Sequence, residues 1–458
     1  MIIDDVYIKT LLKNGAEASA EARRAALSRA EGGAPLTLTD AAALLHMTDA
    51  EDEARLFALA GKIKNAVYGN RVVLFAPLYV SDYCVNNCAY CGYKKSNGFR
   101  RRKLTFDEIR QEVELLESLG HKRLALEFGE DYENCPMEYI LGAIGAVYDT
   151  KNGGGEIRRV NVNIAATTVE NYAKLKEKGI GTYILFQETY HKATYERLHR
   201  GGPKSDYGYH LTAFDRAMQG GVDDVGAGVL FGLYDYKYEV MALLLHNAHL
   251  ERTYGAGFHT ISVPRLRQAR GNDLRAFPHL VGDSDFKRII ALLRIAVPYT
   301  GIILSTRESA ALRNEAIHYG VSQISAGSAT GVGAYRVEAA GEDANQFEIA
   351  DRRAVHTVVA DLMNSGFIPS YCTACYRKGR TGDRFFALAR SGEIKNVCAP
   401  NAIMTLAEYV TDYGDDALKS AGLDCVKRNI AAIEDESMRT ALEAQTEKIL
   451  AGKRDLYF

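Results

Sequence analysis

Six of the chain's eight cysteines stand in two groups of three, each with a spacing suited to a metal centre. The first group reads Tyr83-Cys84-Val-Asn-Asn-Cys88-Ala-Tyr90-Cys91-Gly92. Two cysteines separated by two residues allow the backbone to wrap so that both thiolates point at one centre, and Cys84 adds a third thiolate on the same short loop. Three thiolates leave a tetrahedral zinc or a cubane iron–sulfur cluster one ligand short; catalysis uses such an open position and a structural site avoids it. A closed zinc site would need a fourth ligand, and the closest histidine, His121, lies a helix away. The second group is Cys372-Thr-Ala-Cys375 and, after 22 intervening residues, Cys398, again with no obvious fourth donor. Arg377, Lys378 and Arg380 beside it can offset the negative charge of thiolates and sulfides, or form a solvated basic face. Cys135 and Cys425 stand alone and read as buried small apolar residues.

The elements that must carry these cysteines follow from the hydrophobic rhythm. Residues 1–65 read as helices, including 16–30 and 40–45, with Gly32 and Gly33 between them. From residue 71, eight short β-branched or apolar runs recur, at 71–80, 123–129, 159–166, 182–189, 224–232, 259–265, 301–307 and 323–328. Amphipathic helical stretches separate them, which argues for βαβ units and a parallel sheet. Eight repeats close a (β/α)8 TIM-type barrel, with an open doubly wound sheet as the alternative that the pattern leaves. The rhythm stops near 345. Three units follow: a helical N-terminal extension (1–65), a barrel (66–345) and a mostly helical C-terminal domain (346–458) that holds the second cysteine group. Polar residues gather at the ends of the runs: Glu130, Asp131, Gln187, Glu188, Arg265, Thr306, Arg307 and Glu308. In a barrel that end carries the chemistry. The 100–103 basic run reads as a solvated helix start, and Gly153-Gly154-Gly155 as a turn.

The 458 residues carry 56 Lys and Arg against 58 Asp and Glu, a net charge of −2, so no nucleic-acid partner is implied. The apolar runs are too short for a signal peptide or a membrane span, and the expected location is cytoplasmic. In a reducing compartment, clustered cysteines are metal ligands or catalysts rather than disulfides.

Cys-x3-Cys-x2-Cys with an aromatic residue just before its last cysteine resembles the loop of the radical S-adenosylmethionine (radical SAM) enzymes. The resemblance implies that Cys84, Cys88 and Cys91 bind a [4Fe–4S] cluster whose open iron chelates S-adenosylmethionine, with Tyr90 near the adenine. Reductive cleavage of the sulfonium needs a very low-potential electron, within reach of an iron–sulfur cluster and not of redox-silent zinc. Gly129-Glu130-Asp131 resembles the family's "GGE" motif for the methionine amino group; the departure in sequence leaves open which carboxylate binds. Asn163 and Glu188 are candidates for ribose and sulfonium contacts.

Together with the second triad, this resembles the tyrosine lyases of the family, in the branch that matures [FeFe]-hydrogenase. The likeness covers nearly the whole chain, including Phe186-Gln-Glu-Thr-Tyr-His, His259-Thr-Ile-Ser-Val-Pro-Arg and the final Arg454-Asp-Leu-Tyr-Phe. It implies cleavage of L-tyrosine to p-cresol and dehydroglycine, then formation of carbon monoxide and cyanide at an auxiliary cluster. The product would be an iron–carbonyl–cyanide–cysteine unit for the hydrogenase H-cluster. Cys372, Cys375 and Cys398 would be the auxiliary ligands, with His259 on an additional iron that also carries a free cysteine. Implied partners are a low-potential flavodoxin- or ferredoxin-type electron donor and other hydrogenase maturation proteins.

The carboxylate of tyrosine calls for a forked, permanently charged donor, which makes Arg307 and Arg265 the candidates, with Ser325 as helper. Either arginine could instead pair with Glu308. Gln187, Glu188, Tyr190 and His191 are the candidates for handling the phenol proton. Two competing functions stand beside this one: a 2-iminoacetate synthase of thiamine thiazole synthesis, which stops at dehydroglycine, and a non-enzymatic two-site zinc or electron-transfer protein.

Overall fold

The computed structural model describes residues 2–337 and 346–458, Val337 through its backbone alone. The eight apolar runs each yield a strand: β1 Arg71–Ser81, β2 Arg123–Phe128, β3 Arg159–Asn163, β4 Tyr183–Glu188, β5 Val225–Val229, β6 Thr260–Ser262, β7 Gly301–Leu304 and β8 Gln323–Ser325. They pair in parallel in chain order, and β8 returns to β1 with Val73 opposite Gln323, so the sheet is a closed barrel. The strands are almost wholly buried because helices cover the outside, which is why they read as continuous apolar runs rather than alternating ones.

The interior carries several small residues. Such barrels are normally packed by layers of bulky branched side chains. Here Ala125, Gly226, Gly228 and Gly301 occupy interior positions. The space a Cβ on Gly226 would take is held by Thr260 and Thr182, and that on Gly228 by the Phe186 ring. On Gly301 a Cβ would lie 2.6 Å from Nε2 of Gln323.

The helical N-terminal region departs from expectation in one detail. The stretch 16–30 is split between helices Asp5–Glu17 and Ala20–Glu31, because the Ser19 side chain accepts from the Ala22 amide and starts a new helix. Helices Leu38–Leu44 and Ala50–Tyr68 complete this region, and the last packs on the barrel helices Asp283–Ala296 and Ala310–Tyr319. Gly153 turns a two-stranded hairpin, as expected. The expected boundary at 345 falls outside the described residues.

Beyond it the chain is mostly helical, with one strand the sequence did not announce, β9 Ile368–Ser370. Three residues are too few to show a period. β9 pairs in parallel with the start of β1, Arg71 opposite Ile368 and Val73 opposite Ser370. It occupies the edge that β1 leaves free below Ala76, where pairing with β2 begins. This pairing delivers Cys372 to the N-terminal end of the barrel, while β1 itself leads to Cys84 at the opposite end. Among the described residues no helix is long and apolar enough to cross a membrane.

Candidate functional site

The first cysteine loop leaves β1 at Ser81 and is tied down along its length. Asn86 is its hub: Nδ2 donates to Oε2 of Glu130 at 2.5 Å, and Oδ1 accepts from the Lys204 amide at 3.0 Å. The Val85 amide donates to the Glu130 carbonyl at 2.8 Å. A Cβ on Gly129 would collide with the Tyr83 carbonyl oxygen and stand 3.2 Å from Cβ of Cys84, so glycine lets the end of β2 press against the loop. Tyr90 is buried, with its hydroxyl 2.8 Å from Nε2 of His199. Arg101 corrects the reading of 100–103 as a solvated helix start. Its guanidinium donates to the carbonyls of Asp82, Tyr93 and Lys94, knitting the loop, and the helix begins only at Phe106 behind the Thr105–Glu108 capping box.

Above the strands lies a cavity of about 230 Å³. Cys84, Cys88, Cys91, Tyr90, Gly129, Glu130, Asn163, Glu188, Arg307 and Ser325 all line it, so ten of the sequence-derived residues converge. Asp131 does not: its carboxylate accepts from the Glu133 and Asn134 amides and closes a turn, leaving Glu130 as the carboxylate at the cavity. Arg265 does not line the cavity either. Its guanidinium is held by buried Glu308 (Nε to Oε1 3.0 Å) and by Asp283 at 2.7 Å. Arg307, by contrast, lies 3.4 Å over the Phe347 ring and pairs with no carboxylate among the described residues. Of the phenol-proton candidates only Glu188 reaches the cavity; Tyr190 turns to His246, and His191 stacks on Tyr234.

Sequence reasoning missed two lining residues. Glu127 sits between Ala125 and Gly129 on the inward face of β2, where a period of two would have found it. Burial pushes its carboxyl up to about 8, opposed by a hydrogen bond from Asn163 and by Arg307. Lys204 bonds Oε1 of Glu188 at 2.8 Å; although burial opposes its charge, Glu188 and the Cys88 sulfur hold the ammonium above its ordinary range. Glu188 has φ of 67°, in the left-handed region, at a register shift between β4 and β5. Burial raises the Cys91 thiol to about 11 and also raises that of Cys88, so both want a cationic centre to hold them as thiolates.

A second cavity, about 50 Å³, lies at the N-terminal end of the strands, lined by Cys372, Cys375, Cys398, His259, Arg71, Arg123, Arg380, Tyr376 and Gln323 among others. Here the Cys398 thiol is held below its ordinary range by a hydrogen bond from Cys375 and by Arg71, Arg380 and Arg123. The Nε atoms of Arg71, Arg123 and Arg380 and Nδ1 of His259 are buried without partners, a cationic wall facing three thiols. Of the expected basic flank only Arg380 takes part; Arg377 turns away to Asp455 and Tyr457. Gln323 borders both cavities.

Both sets fit an iron–sulfur cluster in donor chemistry, each bringing three sulfurs to one cavity. Among the described residues no three His, Cys, Asp or Glu side chains converge tightly enough for one metal ion.

A closed parallel barrel with a three-cysteine loop after its first strand defines the class, a radical SAM enzyme. Residues 78–245 match the model of the Radical SAM superfamily and 262–368 that of the Biotin and Thiamin Synthesis associated domain. The chain is 30% identical over 344 residues to the 2-iminoacetate synthase of Salmonella typhimurium, covering 75% of this chain and 89% of that one. It is 53% identical, with a TM-score of 0.97 over 100% of both chains, to the structure described as "Crystal structure of HydG: A maturase of the [FeFe]-hydrogenase". Against HydG from Carboxydothermus hydrogenoformans the values are 37% and 0.84, over 96% of this chain and 97% of that one. The chain belongs to the radical SAM lyase family that the 2-iminoacetate synthases and HydG maturases share, and as a member it works with a [4Fe–4S] cluster and S-adenosylmethionine.

Proposed function

We propose that the chain cleaves L-tyrosine to p-cresol and dehydroglycine in the upper cavity and converts dehydroglycine to carbon monoxide and cyanide at the lower one. The assembled iron–carbonyl–cyanide–cysteine unit would serve [FeFe]-hydrogenase H-cluster maturation. The observation that carries this reading is the pair of three-cysteine sets at opposite ends of one barrel, with Gln323 bordering both cavities. The atoms and electrons balance: tyrosine, the S-adenosylmethionine cation, two electrons and one proton would give p-cresol, dehydroglycine, 5′-deoxyadenosine and methionine, and dehydroglycine would divide into carbon monoxide, hydrogen cyanide and water.

Cys84, Cys88 and Cys91 would hold the [4Fe–4S] cluster, which with S-adenosylmethionine supplies a carbon radical able to abstract hydrogen. Glu130, fixed by Asn86 and by the Tyr132 hydroxyl at 2.9 Å, would accept from the methionine ammonium. Tyr90, Asn163 and Glu188 would contact the remainder of that cofactor. Arg307 would fork the tyrosine carboxylate, with Ser325 nearby, because it is the cavity arginine with no carboxylate of its own. Glu127 would exchange a proton with the substrate. Cys372, Cys375 and Cys398 would hold the auxiliary cluster and His259 its additional iron, the site that supplies a place for the diatomic products. Two electrons, one to cleave the sulfonium and one to complete p-cresol, would come from a low-potential flavodoxin- or ferredoxin-type protein, and the product would pass to other maturation proteins.

The 2-iminoacetate synthase reading accounts for the upper cavity and leaves the lower triad without a task. The test uses anaerobically reconstituted protein with reductant, S-adenosylmethionine and tyrosine, assaying p-cresol and, with deoxyhaemoglobin, carbon monoxide. Carbon monoxide is expected from the wild type and is expected to disappear in Cys372→Ser/Cys375→Ser while p-cresol persists. Absence of carbon monoxide from the wild type would leave the shorter reaction; absence of both products would end the lyase proposal.

A further inference from the structure

Asp224, at the foot of β5, is 1% exposed, and neither of its carboxylate oxygens has a hydrogen-bond partner among the described residues. A buried carboxylate in that condition is strongly unfavourable unless something compensates it. Arg159 is close enough to interact through charge, yet its guanidinium lies flat on the Tyr376 ring, 3.4 Å from the centroid, with Nε unbonded. The nearest N–H position facing the carboxylate is Nδ1 of His259, 3.8 Å from Oδ2 and itself buried without a partner. That separation is just beyond hydrogen-bonding range. The His259 backbone is pinned on both sides, its amide to the Val225 carbonyl at 2.9 Å and its carbonyl to the Gly301 amide at 2.8 Å. Phe385 packs against the ring at 4.3 Å between centroids, so the freedom left is small motion of the ring itself.

We infer that Asp224 is the positioning residue for His259: it accepts Nδ1–H and fixes the tautomer whose Nε2 lone pair is free for a metal in the lower cavity. A histidine that ligates a metal through one nitrogen characteristically donates the other N–H to a carboxylate, which sets ring orientation and strengthens the ligand. The inference rests on the proposed reading of His259 as a ligand and goes beyond it by naming what holds the ligand in place. It also accounts for a charge that would otherwise be an unexplained cost in the barrel.

The test compares wild type, Asp224→Asn, Asp224→Ala and His259→Ala, each reconstituted to the same auxiliary cluster content and titrated anaerobically with Fe(II). Asp224→Asn keeps shape and volume, so circular dichroism and cluster content should match the wild type. Fe(II) affinity for the additional site is expected to fall by roughly 10–100-fold in both Asp224 variants, and to vanish in His259→Ala. With 15N-histidine labelling, the nitrogen hyperfine coupling at the added iron is expected to shift in Asp224→Asn, which a purely space-filling role would not cause. Unchanged affinity and coupling in both Asp224 variants, alongside loss in His259→Ala, would overturn the inference and leave the proposed function standing. Unchanged affinity in His259→Ala would overturn the ligand assignment beneath both.

Discussion

Asn163 donates its side-chain amide to Oε2 of Glu127 at 2.7 Å, across the β2–β3 pairing that sets the two residues in register. Glu127 is thereby a buried carboxyl with a neutral partner, held up near 8 rather than near 4.5. The folded chain keeps the proton over a range where the unfolded chain has lost it. This group's contribution to stability is therefore greatest at low pH and declines as pH rises from 4.5 through 8. Glu127→Gln is expected to remove that decline, as checked by urea unfolding at about pH 5 and about pH 9. As a proton acceptor Glu127 should also give p-cresol formation an inflection near 8. Persistence of that inflection in the glutamine variant would take the proton-handling role away from Glu127.

The two arginines at the strand ends should separate cleanly. Arg307→Gln is expected to raise the tyrosine KM by roughly tenfold or more, reflecting the loss of about 1.5–3 kcal/mol for hydrogen bonds to a charged group. Its melting temperature should hardly move. Arg265→Met removes one of two guanidinium partners from Glu308, which is 0% exposed. Because Arg267 stays on the same carboxylate, the expected cost in chemical denaturation is a clear loss of stability below the about 3–5 kcal/mol of a fully broken buried pair. A KM effect confined to the Arg265 variant would reverse the assignment.

Gly129→Ala tests the seating of the first loop. The new methyl group meets the Tyr83 carbonyl and crowds Cys84, so the loop must shift. Iron content is expected to drop and p-cresol formation to fail, while the electron paramagnetic resonance signal of the auxiliary cluster remains. Full retention of the first cluster would show that the loop accommodates the methyl group.

Gly301→Val tests the interior between the two cavities. Its Cβ would stand 2.6 Å from Nε2 of Gln323 and 3.3 Å from Cγ2 of Thr260. Overpacking of this kind costs about 1–3 kcal/mol. On the proposed reading, p-cresol should still form while carbon monoxide falls, because dehydroglycine no longer passes Gln323. Equal losses of both products would argue against passage at this point.

The barrel was legible because eight apolar runs separated by amphipathic stretches leave few other folds, and the first cysteine group was placed just after its first strand. What the sequence hid depended on direction rather than identity. Arg265 and Arg307 occupy similar strand-end positions, and only the structure shows that Glu308 and Asp283 hold the former. Asp131 looked as suitable as Glu130 until its oxygens were found closing a turn. Glu127 and Lys204 escaped notice because each is one charged residue in an ordinary stretch, made significant by burial alone. β9 was invisible for lack of length.

β1 has a geometric consequence. Its final residue leads to one thiolate trio, and its opening residues, paired with β9, locate the other, so one strand of 11 residues works as a ruler between the two chemistries. At about 3.3 Å per residue it sets a fixed span of roughly 30 Å. Its pairing with β2 shifts register once, between Tyr79 and Ser81, and the two workplaces cannot drift apart without breaking the hydrogen bonds that close the wall. Heating should therefore disable both activities in a single transition, as one object failing rather than two.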